Sequence, residues 1–137
     1  MACPYFYPVT ASTGSAMLPL GDWWTGACHA LPGAPQDAGT IGGTTCGTMC
    51  NLGYARGECA RFPVGEGPDA VRFTISSHDA SAIGIYYVVE RDHHPFAHGR
   101  LTFSLTAAAF VVPPESATLT RQAQAYVESY LRRKKEC

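Results

Sequence analysis

Apolar positions recur along this chain in two manners, and the change falls near residue 69. From Val71 onward they follow regular periods. Val71-Arg72-Phe73-Thr74-Ile75 alternates apolar and polar as a half-buried strand does, and Leu101-Thr102-Phe103-Ser104-Leu105 alternates again. Between them, Ile83-Gly84-Ile85-Tyr86-Tyr87-Val88-Val89 is more continuously apolar and reads as a central strand. Ser76 to Ser81 is placed to close the first hairpin, and Arg91 to Arg100 is expected to form a longer connection. Pro113-Pro114 stops the chain, Ser116 is an N-cap candidate, and Leu119, Ala123, Tyr126, Val127, Tyr130 and Leu131 then recur at helical spacing. This stripe is expected to cover one face of a small antiparallel β-meander.

Residues 1–69 show no such period. They hold 19 of the 24 Gly and Pro residues, both tryptophans and five of the six cysteines, and before Arg56 their only formal charges are Asp22 and Asp37. So long a stretch without helical or strand-like runs is uncommon in a compact domain unless something functional orders it. Residues 1–20 read as extended or irregular, Gly21 to Gly26 as a turn followed by aromatic packing, and a short helix is possible around residues 44–54. The expected fold is therefore α+β: one domain over residues 1–137, in which an irregular Gly/Pro/Cys-rich metal-binding half (1–69) precedes a β-meander with a C-terminal helix (70–137).

Composition narrows the function classes. At 137 residues, with 46% hydrophobic and 15% charged residues, the chain is globular, and its net charge of −1 offers no electrostatic basis for nucleic-acid binding. Its one basic block, Arg132-Arg133-Lys134-Lys135, falls at the end of the expected helix, where it complements the macrodipole. No apolar run is long enough to span a bilayer. The N-terminal residues lack the basic start and continuous apolar core of a secretory signal, so a cytoplasmic location is expected. In a reducing compartment, metal binding accounts for clustered cysteines better than disulfides do.

Cys3, Cys28, Cys46, Cys50 and Cys59 are separated by 24, 17, 3 and 8 residues. No C-x2-C knuckle of the zinc-finger kind is present, although Cys46 and Cys50 form a C-x3-C. Iron–sulfur clusters tolerate irregular spacing, because the inorganic core sets the geometry and loops wrap around it. Glycine in such loops lets backbone N–H groups approach the sulfurs. The favoured ligands of one 4Fe–4S cluster are Cys3, Cys28, Cys50 and Cys59. Cys3 sits beside Pro4 in an aromatic segment that needs tying down, and Cys50 and Cys59 bracket the Gly-containing Asn51–Glu58 loop. Cys46 is the reserve ligand, zinc is the alternative metal, and Cys137 is expected to be a free thiol. Arg56 and Arg61 are placed to offset thiolate charge, and Trp23, Trp24 and Tyr54 to shield the centre. His29 is expected to be a packed or surface residue.

The opening Cys3-Pro4-Tyr5-Phe6-Tyr7-Pro8 and the stretch Cys50-Asn51-Leu52-Gly53-Tyr54-Ala55-Arg56-Gly57-Glu58-Cys59-Ala60-Arg61-Phe62-Pro63 resemble segments of uncharacterised bacterial cysteine-rich proteins. The resemblance covers the first half of the chain, implies no established activity, and favours Cys3, Cys28, Cys50 and Cys59 over Cys46.

Three of the five histidines lie in Arg91-Asp92-His93-His94-Pro95-Phe96-Ala97-His98-Gly99-Arg100. On a helix, His94 and His98 could form half of a metal site, but Pro95 disfavours a helix there. His93 or His98 with Asp92 could do acid–base chemistry, yet no nucleophile motif accompanies them. A polar strand connection is the plainer expectation. The function expected is electron transfer or redox sensing with a redox protein partner, with a zinc-stabilised binding module as the alternative and catalysis by the histidine loop behind both.

Overall fold

The computed structural model of the chain describes residues 2–12, 20, 22–28, 36–37, 50–51, 59, 67–92 and 94–136. Cys46, Cys137, His29, His93, Tyr54, Arg56 and Arg61, with the helix expected around residues 44–54 apart from Cys50 and Asn51, lie outside these. The described residues form two antiparallel sheets and one C-terminal helix, an α+β architecture.

The second sheet is the expected meander, made of β4 (Ala70–His78), β5 (Ala82–Arg91), β6 (His94–Ser104) and the short β7 (Ala109–Phe110) in sequential order. Its register sets Val71 opposite Val89, Phe73 opposite Tyr87, Ile75 opposite Ile85, and Ile83 opposite Phe103. These residues share one face, and Val71, Phe73, Ile83, Ile85, Leu101 and Phe103 are buried there while Arg72, Thr74 and Thr102 stay exposed. Burying each such side chain contributes about 1.5–3 kcal/mol, so the alternation in the sequence is the main stabiliser of this sheet. The Asp79 carboxylate closes the first hairpin, accepting bonds from the amides of Ser81 (2.8 Å) and Ala82 (2.9 Å) and from the Ser81 hydroxyl. Those donors hold the Asp79 carboxyl below its ordinary range.

The second hairpin differs from expectation. Instead of a long connection from Arg91 to Arg100, the strands pair through it, with Arg91 opposite His94 and Val88 opposite His98. Asp92 turns the chain with φ of 51°, and its amide donates to the Asp69 carboxylate at 2.7 Å. Aspartate tolerates this left-handed conformation better than most residues. His94 and His98 consequently lie four residues apart on a strand, about 13 Å along it, and not on adjacent turns of a helix.

The helix α1 (Ala117–Glu136) begins where expected: the Ser116 hydroxyl accepts from the Leu119 amide at 3.1 Å. Ala123 and Val127 are buried, Leu119, Tyr126, Tyr130 and Leu131 pack against the core, and Tyr126 stacks on Phe73 with ring centroids 5.6 Å apart. Gln122 and Ser129 are also buried. The helix therefore has a second covered face, which the apolar stripe alone does not announce.

What covers that face is a sheet within the segment read as irregular: β1 (Phe6–Ser12), β2 (Trp23–Cys28) and the two-residue β3 (Gln36–Asp37), in sequential order. The ladder shifts register between Pro8 and Thr10, where proline cannot donate. Gly26 lies against the Tyr7 carbonyl so closely that no side chain fits there. The two sheets meet at Ala2, which exchanges two 2.8 Å backbone bonds with Val71 on the edge of β4.

Candidate metal centre

The turn Cys3-Pro4-Tyr5-Phe6 stands at the junction of the two sheets. Cys3 follows the Ala2–Val71 bridge, and its own amide donates to the Cys50 carbonyl at 3.0 Å. Phe6 then opens β1, and the β1–β2 register places Cys28 directly opposite it. Three residues of chain and one strand pair thus bring Cys3 and Cys28 into one neighbourhood although 24 residues lie between them in sequence.

Cys50 is fixed from two sides. Its carbonyl holds Cys3, and the next residue, Asn51, is 1% exposed and uses its side chain as a strand substitute. The Trp24 amide donates to Asn51 Oδ1 and Asn51 Nδ2 donates to the Trp24 carbonyl, both at 3.0 Å. This pair of bonds satisfies both backbone groups of a buried β2 residue, where leaving one unmet would cost about 1–3 kcal/mol. Cys59, half-buried, packs against the same core as Cys3 and Cys50.

Burial pushes the Cys3 thiol up from its ordinary value of 9.0 to about 12, and the neighbouring Cys28 and Cys59 add to the rise. The nearby backbone amides of Tyr5 and Phe6 act in the other direction, while the Phe6 amide itself donates to the Cys3 carbonyl at 3.1 Å. Amide dipoles near a sulfur favour a thiolate, whereas burial of the sulfur disfavours bare negative charge. Bound cations would reconcile these opposing influences.

All four favoured cysteines are without disulfides, Cys3 and Cys50 buried and Cys28 and Cys59 half-buried. Cys50 joins Cys3 through one backbone bond, and Cys28 and Cys59 are near enough to Cys3 to raise its thiol further. Among the described residues, no three Cys, His, Asp or Glu side chains form a ready site for a single metal ion. Of the aromatics, Trp24 is buried and lies under the Arg121 guanidinium, 5.2 Å from its ring centroid. The histidine segment is exposed on β6, with His98 near Tyr86 at 5.9 Å between centroids.

Three residues important to this geometry were not picked out from the sequence. Asn51 adjoins Cys50, Gln122 interrupts the apolar stripe of α1, and Asp22 is one of two charges in the first 55 residues. Asp22 is fully buried, accepts from the Ser129 hydroxyl at 2.6 Å, and pairs with Arg132 and, at 3.6 Å, with Arg133. The basic block at the end of the helix thus has a specific partner in addition to the macrodipole. Among the described residues, no helix is long and apolar enough to cross a membrane. No family model, curated protein or solved structure matches this chain.

Proposed function

We propose that Cys3, Cys28, Cys50 and Cys59 hold one 4Fe–4S cluster, and that the protein serves in electron transfer or redox sensing with a protein partner. The observation that carries this reading is the placement of Cys3: it is buried at the junction of the two sheets, its amide donates to the Cys50 carbonyl, and the β1–β2 pairing sets Cys28 opposite Phe6, three residues from it. The cluster would supply one-electron chemistry. The chain's part is to present four thiolates and to exclude water with Phe6, Leu20 and Trp24.

Zinc is the second reading. A zinc ion draws its sulfurs to about 2.3 Å, so four of them must converge tightly. Spacings of 24, 17, 3 and 8 residues, with no C-x2-C knuckle, suit a centre whose inorganic core stands between its thiolates.

Protein purified without oxygen is expected to be brown, to absorb broadly near about 400 nm, and to contain iron with acid-labile sulfide. Colourless protein carrying stoichiometric zinc and no iron would replace the cluster with the second reading.

A further inference from the structure

Gln122 is fully buried on α1, and its Nε2 donates two bonds of 2.7 Å, one to the Cys3 carbonyl and one to the Phe6 carbonyl. Both acceptors belong to the Cys3–Phe6 turn, which the Phe6 amide closes on the Cys3 carbonyl. Its Oε1 is buried with no partner among the described residues. An amide whose only task was to fill space would be better replaced by Leu or Met, because an unmet buried carbonyl is costly. The donor half therefore accounts for its presence, and that half acts on one turn only.

Pro4 explains why the turn needs an outside clamp. It has no N–H, so one peptide of the Cys3–Phe6 turn donates nothing, while the Phe6 amide alone closes the turn on the Cys3 carbonyl at 3.1 Å. Holding the carbonyls of residues 3 and 6 fixes the two ends of the turn and so the peptide planes between them. The Cys3 side chain at the head of the turn is then held in one place.

We propose that Gln122 is the positioning residue for Cys3: by clamping the Cys3 and Phe6 carbonyls from α1, it fixes the turn that presents the Cys3 sulfur to the proposed metal. The metal in this statement rests on the reading given above; the clamp on the turn does not.

The test follows alkylation of each cysteine by iodoacetamide, read by peptide mass spectrometry on the purified full-length protein. The variants are Gln122→Met, Gln122→Glu and, as a control for helix docking, Ser129→Ala. Loosening the turn exposes a thiol that is now buried, so both Gln122 variants should raise the Cys3 rate by about tenfold, the equivalent of one lost buried hydrogen bond. Cys28, Cys50 and Cys59 should change far less, and Ser129→Ala should not single out Cys3. Equal acceleration of all four cysteines, or the same pattern in Ser129→Ala, would overturn the assignment and reduce Gln122 to a docking contact. If the Gln122 variants do not fold, hydrogen exchange of the wild-type chain decides. Tyr5 and Phe6 amides protected as strongly as the centre of α1 support the clamp, and fast exchange at both removes it.

Metal analysis separates the two ideas. Protein without metal but with a Cys3-selective response sinks the cluster and leaves the clamp, and iron-loaded protein without that selectivity does the reverse.

Discussion

The two sheets that α1 touches are held by different means. The β4–β7 meander rests on a backbone ladder and one apolar face, with Ile83 and Ile85 fully buried at its centre and Tyr126 stacked on Phe73. The β1–β3 sheet has a broken ladder and is fastened instead by single polar side chains: Asn51 on Trp24, Gln122 on Cys3 and Phe6, and Asp22 on Ser129 and Arg132. Burial distributed over a face is robust to the loss of any one contact. Fastening by a few buried polar groups is not, because each removal strands a partner without water. The contrast teaches that the β1–β3 sheet depends on its few polar fasteners, while the meander does not.

Removing the metal proposed for the Cys3 side is the strongest challenge to that contrast. Binding of a structural metal by thiolates is worth on the order of 10 kcal/mol, more than most domains have in total stability. Chelation under reducing conditions should therefore abolish hydrogen-exchange protection over β1 and β2 while amides of β4, β5 and β6 stay protected. Simultaneous loss in both sheets would show that they form one cooperative unit and that the contrast has no energetic content.

A smaller effect is expected from Asp22→Ala. It strands the Ser129 hydroxyl in the core and deprives Arg132 of its carboxylate, although Arg132 is partly exposed and can turn to water. The cost should be about 2–4 kcal/mol in denaturant unfolding, below the full cost of breaking a wholly buried pair. Glu128→Ala sets the floor for the comparison. Its partner Arg121 lies 3.4 Å away in an exposed pair, so the change should stay within about 0.5 kcal/mol. A loss in Asp22→Ala no larger than in Glu128→Ala would place the Asp22 cluster among ordinary surface contacts.

The same contrast explains what could be read from the sequence. The alternation around Phe73, Ile85 and Phe103 located the three long strands, and the stripe from Leu119 to Leu131 located the helix together with its Ser116 cap. Strand extent was less legible. The pairing of Arg91 with His94 runs through polar residues, and its turn depends on Asp69, which is 23 residues from Asp92. β1 and β2 escaped recognition because Tyr7-Pro8-Val9-Thr10 and Trp23-Trp24-Thr25-Gly26 carry proline, a bulge and glycine in place of a clean period. Gln122 and Ser129 looked like solvent-facing helix positions, since a hydrophobic pattern marks only the face that meets apolar neighbours. The cysteine grouping depends on Phe6 pairing with Cys28 and on the bond from Cys3 to Cys50, both long-range features. What the sequence offered there was the number of sulfurs and the scarcity of charge around them.

The measurement that bears most directly on the central claim is iron and acid-labile sulfide per chain in single Cys→Ser variants prepared without oxygen. The wild-type chain is expected to carry about four of each. Cys3→Ser, Cys28→Ser, Cys50→Ser and Cys59→Ser should each lose most of both, while Cys46→Ser and Cys137→Ser retain them. Full iron and sulfide in Cys3→Ser, with loss in Cys46→Ser, would contradict the centre described here, and so would a wild-type chain that binds neither.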